Sequence, residues 1–461
     1  MTFGELYTII KSDPGIYPDS IPERNRNKMK KLKLLALIMI IPILLISCAV
    51  VPGGNTDSGI TTIPTSTTRK AETTAASTTT ATTAVTTVPV TPEPTVPDPV
   101  EITLLAVGDN LIHGPLIKCG QNAGFDTLYK ELTPMISAAD LAIINQETIF
   151  TYNEKNYSGY PRFGSPTAVG EAALKAGFDV FSTATNHTAD QGEQAIFDTL
   201  DFWSKHPEGT ALGIYKGTLK CGQEESDSHK HTAKCYKKGA DSDEIPVITV
   251  KGVRIAFLNY TYGMNRSLTN WWMVDVMQNN DASKAAIAER IEKAKEISDF
   301  VVMCAHWGSE YVNTPTSSEV MWAQFFADCG VDLVIGTHPH VVQPVMEVEG
   351  KNGNKTVVYY SLGNFVHNQN DFAPNIGGLA NITLISDENG VRIKEYNMVG
   401  TMVDCYKNEN GVQCYTACLI SEMTPERLKK HVKFSKKTVE DFENEFLKAS
   451  TSYPKTAKEA A

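Results

Sequence analysis

The stretch "VIGTHPHVVQP", residues 334–344, ends an apolar run with two histidines one residue apart, His338 and His340. Imidazole ligates metals, shuttles protons and carries a charge that switches near neutral pH. Taken alone, the pair also suits a surface loop. The same pattern recurs along the chain, however: an apolar run that stops on a polar side chain. "LLAVGDNLIH" delivers Asp109 and His113, and "LAIINQET" delivers Glu147. "VFSTATNHTADQG" delivers Asn186, His187 and Asp190, and "VVMCAHWGSEY" delivers His306, followed by Glu310 and Tyr311. In open α/β sheets, ligands sit in the crevice beyond the carboxyl ends of the strands. Imidazoles and carboxylates buried together without a cation leave unpaired polar atoms, at about 1–3 kcal/mol each. A pair of divalent ions about 3.5–4 Å apart, bridged by a carboxylate, removes that penalty. Nitrogen-rich ligand sets suit Mn, Fe or Zn better than Mg or Ca, and no thiolate is placed to join them. The expected cofactor is therefore one or two divalent transition-metal ions. The expected chemistry is attack by metal-activated hydroxide on a phosphoester or, less readily, an amide.

The elements that must position these residues alternate. From residue 101 onward, apolar strand runs are separated by helical stretches such as "FDTLYKELTPMISAAD", "GEAALKAGF", "AIFDTLDFWSKH", "ASKAAIAERIEKAKEIS" and "SEVMWAQFFADCG". This order predicts an α/β domain with helices on both sides of its sheets. "IPVITVKGVRIAFLNYTY" reads as a hairpin turned at Lys251-Gly252, and "KTVVYYSLGNFV" as one strand. "GLANITLISDENGVRIKEYNMVGTMV" has no helix inside it and predicts an antiparallel part; "TPERLKKHVKFSKKTVEDFENEFLKAS" is a closing helical segment. Trp271-Trp272 is read as buried aromatic packing rather than a stacking platform.

The chain has 461 residues and a formal net charge of −11, which argues against a nucleic-acid partner. Met29–Cys48, "MKKLKLLALIMIIPILLISC", has a basic start, a short apolar run and a Ser-Cys end. That is the layout of a secretory signal, and the apolar run is short for a spanning helix. "LISC" resembles a bacterial lipobox, which implies lipidation of Cys48 and a lipoprotein on the extracellular face of the cell membrane. An uncleaved single-span anchor is the alternative. Residues 1–28 fit a start codon placed too early, or a cytoplasmic tail. Residues 48–99 form a Thr/Ser/Pro-rich linker that cannot bury enough apolar area to fold, leaving 100–450 as the folded domain. Cys221 and Cys235 flank a polar insertion. A disulfide is expected there, ahead of the alternative that the two thiols form neither bond nor site, with zinc held by Cys221, His229, His231 and Cys235 the least favoured.

Taken in order, "GDNLIH", "NQE", "TNHTADQG", "HWGSEY", "GTHPHVVQPVME" and "YYSLGNF" resemble the motifs of the CapA family of poly-γ-glutamate capsule synthesis proteins, over about residues 101–400. The resemblance implies a metallophosphoesterase-like sandwich, with central mixed sheets flanked by helices. Carried over residue by residue, it implies one metal on Asp109, His113, Glu147 and His340. The second metal takes Glu147, Asn186, His306 and His338, with Glu147 as the bridge. It gives proton transfer to His187, with Asp190 beside it. Glu310, Tyr311, Gln343, Ser361 and Asn364 are read as substrate-binding residues. Asp109 and His113 are four apart, which a helical turn would set on one face. The implied partners are the membrane and an anionic envelope polymer or its synthesis complex. The functional alternative is a non-catalytic component that binds or exports the polymer.

Overall fold

The structure is a computed structural model that describes residues 98–221 and 232–454. All of these fall within the compact unit Val90–Ala461. The leader, Cys48, the Thr/Ser/Pro-rich stretch, His229 and His231 lie outside the described residues. Among the described residues, no helix is long and apolar enough to cross a membrane.

Two mixed sheets form the domain. In the first, β1 (Val100–Asn110), β2 (Leu141–Asn145), β3 (Val180–Ser182) and β4 (Thr210–Leu212) run parallel in chain order. The other edge of β1 takes the antiparallel run β14 (Ile376–Asp387), β15 (Gly390–Lys407) and β16 (Gln413–Leu419). The second sheet is ordered β11 (Val345–Glu349), β12 (Lys355–Tyr359), β10 (Leu333–Thr337), β9 (Phe300–His306), β8 (Val253–Thr261) and β7 (Val247–Val250). A two-stranded ribbon, β5 (Thr218–Leu219) and β6 (Tyr236–Lys237), brackets the undescribed loop. Beside it, Cys221 and Cys235 are not joined by the expected disulfide.

Period-2 alternation explains the layering. Ile102, Leu104 and Ala106 of β1 meet Phe300, Val302 and Cys304 of β9 in the core between the sheets. Leu105 and Val107 point the other way, toward α1 (Gly114–Ala123), α2 (Ala168–Ala176) and α3 (Glu193–Lys205). Val301 and Met303 likewise face α4 (Asp281–Ile297) and α5 (Ser317–Cys329). Strands covered on both faces read as unbroken apolar runs, which is why their sequences carry no polar side.

Local chemistry sets the boundaries. The hairpin turn falls at Lys251 (φ 49°) and Gly252 (φ 86°), a pair of left-handed residues that suits a two-residue turn between twisted strands. α5 opens with a capping box, Thr316 accepting from Glu319 N and Glu319 accepting from Thr316 N. Thr316→Ala is expected to cost about 1 kcal/mol, read from the urea midpoint. Arg427 joins the closing segment to the first sheet, donating to both Glu131 oxygens at 2.7 Å and to Asp404 at 2.6 Å. Arg427→Ala strands the buried Asp404 carboxylate, and an equilibrium unfolding curve is expected to show a loss of about 3 kcal/mol.

The structure differs from the sequence expectation in four places. Residues 125–140 are not one helix. Phe125–Leu128 is a 3-10 turn and Thr133–Ile136 a single α-turn, because Pro134 has no N–H to continue a longer helix. The longer helix is α1, which starts just upstream with Pro115 in its first turn. "KTVVYYSLGNFV" is two strands, β12 in the second sheet and β13 (Asn364–Val366), which pairs with β1 of the first. Trp271 is exposed rather than packed.

Candidate metal centre

Five strand ends converge at one rim of the sandwich. The first sheet delivers Asp109 at the end of β1, Glu147 two residues past β2, and the 186–190 loop after β3. The second sheet delivers His306 at the end of β9, and His338 and His340 just past β10. Parallel register aligns them: Asp109 lies opposite Asn145, and His306 opposite Thr337.

The segment from Tyr360 to Gly363 crosses between the sheets at this rim. Leu362 N–H donates to Gly336 O at 3.0 Å, and Asp109 N–H donates to Gly363 O at 2.8 Å. The crossing chain lies so close that a Cβ on Gly108 would sit 1.8 Å from Gly363 O, and one on Gly336 would sit 2.0 Å from Tyr360 O. Glycine is therefore required on both strands just ahead of the ligands. Beyond β10 the backbone is strained. His338 (φ 98°) and His340 (φ 57°) both hold left-handed conformations, as does Tyr311 (φ 64°) facing them. Bulky residues stay there only where the surroundings over-determine them, a state that clusters at functional sites.

The side chains meet. The ligand atoms of Asp109, Glu147 and His340 lie within 4.8 Å of one another, as do those of Glu147, His306 and His338. Glu147 Oε1 is 3.8 Å from His306 Nε2 and 3.8 Å from His340 Nε2. Glu147 is fully buried, and among the described residues neither of its carboxylate oxygens has a hydrogen-bond partner; nor does the buried Nδ1 of His338. Such orphans are rare in folded proteins and expensive unless an ion satisfies them. Burial, with Asp109 close by, pushes the Glu147 carboxyl well above the usual range. Burial lowers His306 well below its usual value and His338 to about 3, so both are neutral imidazoles, the form that ligates metal. At His340 burial opposes the charge, but Glu147 and Asp109 outweigh it and raise the imidazole to about 9. His340 Nδ1 donates to Asp109 Oδ2 at 3.0 Å. The donor set of buried carboxylates and imidazoles, arranged as two groups sharing Glu147, fits a pair of divalent transition metals.

Asn186 Oδ1 lies 2.8 Å from His306 Nε2 and so sits with the second group. His187 Nδ1 donates to Asp190 Oδ2 at 2.7 Å, and Asp190 Oδ2 also accepts from Phe163 N at 2.8 Å. Thr185 ties this loop to the metal group, donating to the Glu147 carbonyl at 2.8 Å and accepting from His187 N at 3.1 Å.

His113 departs from the sequence expectation. Residues 109–113 leave a strand instead of entering a helical turn, so the four-residue spacing does not set both side chains on one face. His113 Nδ1 is turned to Leu111 O at 3.0 Å, and the residue joins none of the ligand groups found among the described residues. Three of the substrate-binding expectations also give way. Ser361 Oγ donates to Val341 O at 2.8 Å, Gln343 Nε2 donates to Val312 O at 2.9 Å, and Asn364 Nδ2 donates to His340 O at 3.1 Å. All three are buried and shape the chain around the site. Glu310 and Tyr311 are exposed at its mouth.

Two supporting residues escaped the sequence reading. Asn145 Nδ2 donates to Asp109 Oδ1 at 2.8 Å, and Thr337 Oγ1 lies 3.0 Å from His306 Nδ1, fixing carboxylate and ring. Both are the last residue of an apolar strand run, the one signal that marks them.

The sequence pattern of the family described as Bacterial capsule synthesis protein PGA_cap matches residues 103–213 and 225–369, which carry every residue of the two ligand groups. The chain belongs to this capsule synthesis family. It is 31% identical over 271 residues to PGA biosynthesis protein CapA of Bacillus subtilis (strain 168), covering 57% of this chain and 62% of that protein. It is 27% identical over 275 residues to Capsule biosynthesis protein CapA of Bacillus anthracis, covering 58% and 60%. The chain thus spans about three-fifths of the length of these CapA relatives. Among solved structures it aligns with calcineurin-like phosphoesterase YfkN from Bacillus subtilis at 13% identity and a TM-score of 0.32, over 76% of this chain and 99% of that one. With the sulfate thiohydrolase SoxB of Thermus thermophilus the identity is 13% and the TM-score 0.35, over 76% and 60%.

Proposed function

We propose that this CapA-family chain is a metal-dependent hydrolase of cell-envelope polymer synthesis, acting on a phosphoester or an amide. One observation carries the reading: among the described residues Glu147 is buried with neither oxygen hydrogen-bonded, and one of those oxygens stands 3.8 Å from imidazoles delivered by strands of the second sheet. Asp109, Glu147 and His340 would hold one ion, and Glu147, His306, His338 and Asn186 the other. A bound pair supplies Lewis acidity and a water acidic enough to lose its proton near neutral pH. The remaining work falls to the chain. Asp190 accepts from His187 Nδ1 and orients the ring, so that a proton carried on Nε2 can pass to the leaving group. Thr337 and Asn145 hold His306 and Asp109 in register, so no reorganisation is needed when substrate arrives.

The envelope role follows from the relatives, whose names place them in capsule or PGA biosynthesis. The leader read from the sequence supports it too, since a lipid carried by Cys48 would hold the domain outside the cell. The test is element analysis of purified protein together with an assay on a generic phosphoester with added Mn²⁺. Bound transition metal is expected, with turnover that falls at least about a hundredfold in His306→Ala. Metal-free protein that binds polyglutamate and turns nothing over would replace this reading with the non-catalytic one. Cell fractionation of Cys48→Ala checks the anchor: loss of the protein from the membrane is expected.

A further inference from the structure

We propose that Glu310 is a metal ligand too, a displaceable carboxylate on the exposed side of the centre. The inference rests on the metal-centre reading above. A Glu310 oxygen lies with nitrogens of His338 and His340, all within 4.8 Å of one another. Those two imidazoles belong to different ion groups, and Glu147 reaches both groups from within. The pair of ions is therefore offered a carboxylate from two directions. One is fully buried and one is exposed to solvent. His338, which belongs to this group, also has a buried Nδ1 with no hydrogen-bond partner among the described residues.

The loop that carries Glu310 is pinned. Trp307 N–H donates to Thr337 O at 3.1 Å and Tyr311 N–H to Pro339 O at 2.8 Å. Trp307 Nε1 donates to Tyr360 O at 2.8 Å, Gln343 Nε2 to Val312 O at 2.9 Å, and Asn313 Nδ2 to Val342 O at 3.1 Å. The Tyr311 hydroxyl accepts from Gln369 Nε2 at 3.0 Å while its backbone is held left-handed at φ 64°. Strain at the residue next to an exposed acid, stabilised by bonds on both sides, marks the acid's placement as specified by the fold.

The remaining ligands of the centre are buried, so substrate arrives on the side where Glu310 sits. An incoming phosphate or carboxylate oxygen takes the place of the Glu310 carboxylate. No covalent bond changes; one anionic ligand exchanges for another. Anions with several oxygens complete this exchange, and weak single-oxygen ligands do not, so Glu310 selects among substrates as well as holding metal.

The test uses wild type, Glu310→Gln and Glu310→Asp. Mn²⁺ affinity is measured by chelator competition, and inorganic phosphate binding to the Mn²⁺-loaded proteins by calorimetry. Glu310→Gln is expected to weaken Mn²⁺ binding by about tenfold or more and to tighten phosphate binding. Glu310→Asp is expected to keep most of the metal affinity. Unchanged Mn²⁺ affinity in Glu310→Gln overturns the proposal, and weakened metal binding without tighter phosphate overturns the displacement. Wild-type protein that binds no Mn²⁺ overturns the metal-centre reading itself, a distinguishable result.

Discussion

Replacing Glu147 with glutamine raises the stability of the protein in chelator and removes the stabilisation that Mn²⁺ confers. The two effects have opposite signs and one cause. Glu147 is buried beside Asp109 with neither oxygen hydrogen-bonded among the described residues, and burial and Asp109 outweigh the attraction of His340, so without an ion its charge is a burden on the folded state. Glutamine keeps the shape and removes the charge. The gain is expected at about 1–3 kcal/mol, or roughly 2 °C in Tm per kcal/mol for a domain of this size. Wild-type protein should gain about 4 kcal/mol from an ion at a thousand times its Kd, and Glu147→Gln almost none. Thermal melts of both proteins, in chelator and in Mn²⁺, give all four values. A variant less stable than wild type in chelator would mean that Glu147 has a structural partner, and the argument for a bridging ligand would fail.

The second large effect concerns the strands that carry the ligands. Gly336→Ala places a methyl carbon 2.0 Å from Tyr360 O and 2.7 Å from Trp307 Nε1. Gly108→Ala meets Gly363 O at 1.8 Å. The obstacles are mostly backbone, which cannot swing aside as a side chain can. Each substitution is expected to cost more than about 3 kcal/mol, at the upper end for overpacking, and to move His338 or Asp109 out of register. Gly114→Ala is the control: its Cβ meets nothing within 4 Å, so its urea midpoint should hold or rise slightly. Equal, small effects at Gly108, Gly336 and Gly114 would show that the crossing segment yields easily.

Asp109, Glu147, His306, His338 and His340 were legible in the sequence because each follows an apolar strand, and strand ends in a parallel sheet share one edge. The layering was legible for a related reason, since helices and strands alternate with clear boundaries. The split of "KTVVYYSLGNFV" was not. Period-2 patterning reports that a stretch is extended, but two sheets buried on both faces share one composition, so nothing in the residues says where the chain changes sheet. His113 came from the resemblance, and the helical turn that would have set it beside Asp109 is absent because β1 runs on to Asn110. Ser361, Gln343 and Asn364 looked like substrate contacts because polar residues near a site have two uses. Only their bonds to Val341, Val312 and His340 reveal that they brace the backbone.

Both groups that share Glu147 join that carboxylate from the first sheet to imidazoles from the second, so neither sheet assembles the bridged pair by itself, even though Glu310, His338 and His340 all follow strands of the second. On the proposed reading, uptake of the bridged pair waits until the two sheets have met, which makes full occupancy a report on completed folding.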